Sequence, residues 1–338
     1  MRLQRNFIQR TQAALALVAC LSLIGCGDAG SVGGPAADVQ ASKGLSIEKE
    51  DGRINIMSGG DLVTALNYAK SWDKPFLYPL KSTSGTVISR GFPLETKAGE
   101  STDHPWHRGI WYGHGDVTGE DFWRELAPDK SGKLVVQGEP EATATGNSAT
   151  IRFTVAMQGR EPDKKRYGSI DETYVLTREG EKLVVDTTIT VNADAGIDLK
   201  FADSDDGGLG FRLSDAYRED RDAQLINSNG LSGSKAMWGK PANWVDYSAK
   251  VDGKTIGFAM FDHPSNVRHP TGWHARGYAL CAANPFALGS FAEDKSIDGS
   301  YTVKSGEKLT LQYRVVIHEG AFQPADVESW YSAWTAGK

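Results

Sequence analysis

Cysteine is scarce: the 338 residues contain three, Cys20, Cys26 and Cys281. The first two lie in the N-terminal stretch, so the body holds one thiol and no internal disulfide is expected; a lone cysteine inside YALCAANPF reads as core. Positive charge is also in deficit. With 37 Lys and Arg against 43 Asp and Glu, the formal net charge is -6, which excludes the electrostatic footprint of a nucleic-acid binder. Long apolar runs are missing too. The longest, Ala13 to Ile24, falls short of the roughly 20 residues of a membrane span. It follows Arg2, Arg5 and Arg10, and so reads as the n-region and h-region of a secretory signal.

That run ends in Leu23-Ile24-Gly25-Cys26, which resembles the lipobox of bacterial lipoproteins. The resemblance implies a signal over residues 1–25, lipid on Cys26, and a bacterial cell-envelope location, periplasmic or outer-membrane, with the membrane as a partner through that lipid. Residues 26–44, rich in Gly, Ala and Ser without periodicity, read as a flexible tether. The folded body is expected over residues 45–338.

What is present in the body is strand pattern. ATIRFTVAM alternates Ile151, Phe153, Val155 and Met157 with polar residues, and KLTLQYRVVIH does the same through Leu309, Leu311, Tyr313, Val315 and Ile317. KLVVDTTITV and KTIGFAMFDH are apolar on both faces, as central strands covered on both sides would be. Only PADVESWYSAW reads as a helix, with Pro324 in the first turn and Val327, Trp330, Tyr331 and Trp334 on one face. An all-β fold, a large antiparallel sandwich or barrel with a short C-terminal helix, follows.

The chemistry-bearing residues cluster. DHPWHRGIWYGHGDVTG, residues 103–119, carries His104, His107 and His114, three of seven histidines. As a metal site it lacks a helical HExxH frame, and strand alternation sends His107 and Trp111 to one face and His114 to the other. As an acid/base centre it needs less: one imidazole beside a carboxylate, with His104 or His107 as the base and Asp103 or Asp116 as the orienter. The second cluster, FDHPSNVRHPTGWHARGYALCAANPF, adds Trp273, His274, Arg276 and Asn284. VVIHEG ends a strand with His318 and Glu319. Tryptophans beside such polar groups suit the apolar face and hydroxyl rim of a sugar. FADSDDGGLGF is a loose likeness to a calcium loop, but Ser214 stands where the bidentate Glu belongs, so a solvated acidic turn is expected.

Together, DHPWHRGIWYGHGDVTGEDFW, NSNG, WGKPANWVDY, HPTGWHARGYALCAANPF and VVIHEG resemble a bacterial family labelled "methane oxygenase PmoA", from about Phe76 to Gly320. The resemblance implies a β-supersandwich similar to galactose mutarotase, with a sugar cleft lined by His and acidic residues. It does not lead us to expect methane oxidation, since no run after the leader spans a membrane. By motif position the family's shared polar residues fall on His104, His107, Arg108, His114, Asp116, His274, Arg276, Asn284, His318 and Glu319. Two positions depart from the family pattern: Gly277 and Asn229 stand where an acid is usual.

The reading that follows is carbohydrate binding with acid/base chemistry of the epimerase, lyase or glycoside-cleaving kind. His107 and His274 are expected to transfer protons, with His318 and Glu319 as partner and orienter. Arg108 and Arg276 would hold an oxyanion or carboxylate, and Trp111 and Trp273 would form the sugar platform. His104, His114, Asp116 and Asn284 would bind substrate. A non-catalytic carbohydrate-binding lipoprotein is the second reading. A metal-dependent enzyme using the clustered histidines is the third, with no cofactor expected under the first two.

Overall fold

The computed structural model of the chain describes residues 44–321 and 323–337. The expected signal, Cys26 and the tether up to residue 43 lie outside the described residues. In chain order the strands are β1 (Leu45–Glu50), β2 (Arg53–Ser58), β3 (Asp61–Asn67), β4 (Phe76–Leu77), β5 (Ile110–His114), β6 (Lys133–Thr145), β7 (Ser148–Gln158), β8 (Arg166–Glu179) and β9 (Lys182–Ala193). They continue as β10 (Leu199–Phe201), β11 (Gly207–Arg212), β12 (Gln224–Asn227), β13 (Trp244–Val251), β14 (Lys254–Asp262), β15 (Gly272–Trp273), β16 (Leu280–Asn284), β17 (Tyr301–Val303) and β18 (Lys308–Glu319).

Two eight-stranded antiparallel sheets result, β1-β2-β3-β4-β5-β11-β16-β15 and β12-β13-β14-β18-β9-β8-β7-β6, with β10 and β17 as a separate ribbon. The inward alternation of β7 and β18 is the expected one: Ile151, Val155, Met157, Leu311, Val315 and Ile317 all lie in the core between the sheets. The two strands with apolar residues on both faces are explained by a second cover. On β9 and β14, Val185 and Phe258 face the core, whereas Val184, Ala259 and Phe261 face away from it. There they meet helix α3, described below.

Among the described residues three α-helices are present, α1 (Ser234–Met237), α2 (Leu288–Ala292) and α3 (Pro324–Thr335), with two single-turn 3-10 helices at Asp215–Tyr217 and Glu219–Arg221. Asp326 closes the start of α3 by accepting from Gln323 N at 3.0 Å, and Pro324 costs nothing at a position whose N–H has no helical partner. Val327 and Tyr331 are buried on the second sheet, with Trp330 and Trp334 partly so; each fully buried side chain of this kind contributes roughly 1.5–3 kcal/mol. No helix among the described residues is long and apolar enough to cross a membrane.

The first sheet is covered differently. Its outward face carries Trp111, Leu280 and Ala282, packed with Phe76, Tyr78 and Trp123 and edged by Trp72, Leu94, Trp106 and Tyr278. The residues that cover it come chiefly from the long connection between β3 and β5, which brings the DHPWHR segment onto the sheet.

Candidate functional site

Strand register builds the floor. Gly210 of β11 pairs with Trp111 of β5 on one side and with Ala282 of β16 on the other. Ala282 and His274 exchange both backbone hydrogen bonds, at 2.9 and 3.2 Å. Trp111, Gly210, Ala282 and His274 therefore form one cross-strand row on the outward face, large at its ends and small in its middle. The glycine is required by its neighbours. A Cβ at Gly210 would stand 2.7 Å from Trp111 Cζ2 and 2.8 Å from Trp123 Cη2, so the two indoles lie across bare backbone.

Four rings stack above this floor. Tyr278, His104, His107 and Trp111 follow one another at centroid separations of 5.4, 4.8 and 5.1 Å, with interplanar angles of 6°, 2° and 18°. His107, in the middle, is buried, and neither ring nitrogen has a hydrogen-bond partner among the described residues. Burial, aided by the Arg212 charge, holds its pKa well below the ordinary value, so it stays neutral.

His104 is the different one. Its backbone sits at φ +44°, a left-handed conformation that histidine adopts more readily than most residues. Nδ1 donates to Asp103 Oδ2 at 2.5 Å. Asp103 in turn accepts from Arg90 Nη1 at 2.9 Å and Arg212 Nη2 at 2.8 Å, both guanidiniums being fully buried. Burial pushes this carboxyl up, but the bonds from Arg212 and His104 and the two cationic charges outweigh it and hold Asp103 well below the carboxylate range. The His104 side chain is 39% exposed, and Nε2 has no partner among the described residues. An imidazole with one nitrogen clamped by a carboxylate and the other open is the arrangement proton transfer needs.

Opposite lies an acidic and aromatic wall. His274 Nδ1 donates to Asp205 O at 2.7 Å and Nε2 accepts from Arg276 Nε at 2.9 Å. With both nitrogens engaged, burial and the Arg276 charge lower its pKa to about 4. Arg276 also reaches Asp205 Oδ2 at 3.2 Å and lies 3.6 Å over the Trp238 ring. Asp205, Arg276 and Trp238 line a cavity of about 670 Å³ with Ser234 and Glu293; His274 lies buried behind them. Asp206, in the bend directly before β11, stands 3.7 Å from Arg124 Nε. Burial and the neighbouring Asp205 charge raise its pKa to about 6, and His104 is close enough for its charge to act on the same carboxyl.

The residues predicted from sequence divide accordingly. His104, His107, Trp111, His274 and Arg276 share the outward face of the first sheet; the others do not join them as reactive groups. His318 is on the second sheet, bonded through Nε2 to Asp246 Oδ2 at 2.8 Å and packed edge-on against Trp330 of α3. Glu319, on the next strand position, accepts from Ser84 N at 2.7 Å and from Thr83 Oγ1. Neither orients anything in the cleft, because strand parity and sheet membership carry both away. Trp273 points into the sandwich core with Nε1 donating to Ala242 O at 2.8 Å; it is Trp238 that lines the cavity. Trp111 is fully buried and floors the stack rather than offering an open ring.

Arg108 is not free to bind an oxyanion: its guanidinium pairs with Glu125 and lies 4.6 and 4.7 Å over the Trp72 and Phe76 rings. His114, as alternation predicts, faces the other way, packed on Phe201 and Phe286 with Nε2 bonded to Ala202 O at 2.8 Å. Asp116 closes a turn by accepting from Gly119 N at 2.8 Å. Asn284 holds the 204–206 loop through Ser204 O at 2.8 Å and Asp205 O at 3.1 Å. The acidic run is not a solvated turn. Asp203 accepts three backbone N–H groups, from Gly289, Ser290 and Gly299, Asp205 lines the cavity, and Asp206 faces Arg124. Their signal in the sequence was the run itself, set directly before β11. Gly277 is filled from elsewhere: a Cβ there would stand 2.4 Å from Glu219 Oε2, a carboxylate that Ser234 binds through its N at 2.8 Å. Among the described residues no three His, Cys, Asp or Glu side chains come together as a ligand set for a metal ion.

The fold and site define a class: an antiparallel β-supersandwich with a His, Asp, Arg and Trp cleft on the outward face of one sheet. A protein family described as a family of unknown function, DUF6807, matches residues 53–332, and the chain belongs to it. No curated protein sequence matches it significantly. Among solved structures the chain is similar to a galactose mutarotase related enzyme from Lactobacillus acidophilus, at 10% identity over 82% of this chain and 97% of that one, with a TM-score of 0.32. It is also similar to a galactose mutarotase-like protein from Lactobacillus casei, at 10% identity over 81% and 100% with a TM-score of 0.33. An alpha-galactosidase from Lactobacillus brevis is matched at 11% identity over 81% and 39% with a TM-score of 0.36.

Proposed function

We propose that this protein binds a carbohydrate in the cleft and performs acid/base chemistry on it, of the epimerase, lyase or glycoside-cleaving class. The observation that carries the reading is the Asp103–His104 pair, with its open Nε2 on the face that also holds Asp206. Two titratable groups in contrasting environments suit complementary acid and base roles. His104 Nε2 takes a proton from a sugar hydroxyl or activated C–H, and Asp206, protonated below about pH 6, returns one to the opposite position. Trp238 meets the apolar side of the sugar with the part of its ring that Arg276 leaves uncovered, while Arg276 and Asp205 bond hydroxyls. His107 and His274 are support: one spaces the stack, the other fixes Arg276.

A panel of methyl glycosides, free sugars and uronates, read by calorimetry and by turnover, tests this. His104→Gln is expected to keep binding and lose turnover by about 10²–10⁴-fold, and Trp238→Ala to lose binding. Turnover unchanged in His104→Gln would remove the catalytic assignment. The second reading, binding alone, is favoured by His274 having both nitrogens occupied; it requires that no panel member turns over while Trp238→Ala still abolishes binding.

We further propose that the chain is exported and held at a bacterial membrane by lipid on Cys26, in line with its resemblance to the family labelled "methane oxygenase PmoA". Replacement of Cys26 by Ser should move the protein from the membrane to the soluble fraction.

A further inference from the structure

Behind α2 lies a second cavity, of about 310 Å³. Its walls are Phe291 and the rings of Pro241, Pro270 and Pro285, and its rim carries Leu288 and Ile297. Each of those two is 41% exposed, and among the described residues only Leu126 is a further exposed large hydrophobic side chain. Exposed apolar surface concentrated at one opening marks a place where something apolar binds. The Phe291 side chain lies over two glycines, since a Cβ at Gly239 would stand 2.4 Å from its Cβ and one at Gly272 2.7 Å from its Cδ2. Arg268, which borders the cavity, has its guanidinium committed to the carbonyls of Pro285, Gly299 and Ser300, so it does not ask for an anion.

The cavity adjoins the cleft across α2 and Trp238. Trp238 lines the cleft and the next residue, Gly239, lines this cavity; on α2, Ser290 faces the first and Phe291 the second. The Trp238 and Phe291 rings meet edge to face at 5.1 Å. The two rings thus stand side by side at the border of the two cavities, within reach of one ligand that carries a second ring.

We propose that this cavity is a subsite for a flat apolar group carried by the cleft's ligand, an aryl aglycone or a comparable ring. The assignment rests on the carbohydrate reading above. Its volume lies at the lower end of ligand sites, roughly 300–1,000 Å³, which suits one ring rather than a further sugar chain.

The test compares 4-nitrophenyl glycosides with methyl glycosides of the same sugars, by calorimetry on the full chain and on a Leu288→Ser, Ile297→Ser double variant. Both side chains are exposed, so the variant should melt as the parent does. Aryl glycosides are expected to bind about tenfold tighter than methyl glycosides, as a small hydrophobic contact gives. The double variant should erase that preference and leave methyl glycoside binding as it was. Equal binding in the parent, or a preference that survives both substitutions, overturns the subsite. If no methyl glycoside binds, the carbohydrate reading fails by itself, and free 4-nitrophenol decides: saturable binding lost in the double variant upholds the subsite, and no binding overturns it.

Discussion

Replacing Asp103 by Asn removes the anion that two fully buried guanidiniums share. Arg90 keeps its bonds to the carbonyls of Asp103, His104 and His107 at 2.7, 2.8 and 3.2 Å, and Arg212 keeps the Tyr278 ring at 4.7 Å. These contacts hold the geometry but supply no counter-charge. Truncating one partner of a buried pair costs about 3–5 kcal/mol. Asp103 is 37% exposed, so water screens part of the interaction and about 2–3 kcal/mol is the better figure. At roughly 2–4 °C per kcal/mol for a domain somewhat smaller than this, the melting temperature should fall by about 5–10 °C at pH 7. The pH dependence has a definite sign. The folded carboxyl titrates below the unfolded value near ~3.9, so its contribution is complete above that value and is lost as pH falls through the folded pKa. Thermal melts followed by near-UV circular dichroism at pH 7, 5 and 3.5 should show the gap between parent and variant narrowing only on the acid side. A gap below about 1 kcal/mol at pH 7, or one that widens on acidification, would refute the reasoning. Turnover should fall along with stability, because His104 loses the group that fixes its ring.

Asp206→Asn works in the opposite direction: the folded carboxyl is raised to about 6, so the parent loses stability as pH rises from about 4 to 6. The variant should gain on the order of 2 kcal/mol relative to the parent between pH 4 and pH 7, read from urea midpoints, and lose the alkaline limb of any pH–rate profile, where the parent's acid is deprotonated. Gly210→Ala must push the Trp111 and Trp123 rings apart; a loss of about 1–3 kcal/mol with a shift in tryptophan emission is expected, and an unchanged spectrum would contradict the floor described above. His318→Ala leaves Asp246 without its 2.8 Å bond and should cost about 1–3 kcal/mol in stability. Sugar affinity should not move, and a lost affinity would return His318 to the site.

The sequence by itself determined β7, β9, β14 and β18, the terminal helix and the face on which the residues of those strands lie. Those depend on local periodicity: inward Ile151 and Val155, outward Val184 under α3, and the divergence of His107 and His114 across β5 are all consequences of a two-residue repeat. It also joined the two histidine-bearing segments and VVIHEG into one composite site; His274 does stand in the same cross-strand row as Trp111, whereas VVIHEG lies on the other sheet. Tertiary structure alone decided which histidine is open. His104 differs from His107 by its neighbours, Asp103 beside it and Arg90 and Arg212 behind that carboxylate, and the two arginines arrive from 13 and 109 residues away in the chain. The same holds for His318, whose motif looks like the others but whose strand belongs to the far sheet. Sequence periodicity assigns a residue to a face of its own strand; only the order of strands in the sheets assigns that face to a cleft, a core or the underside of a helix.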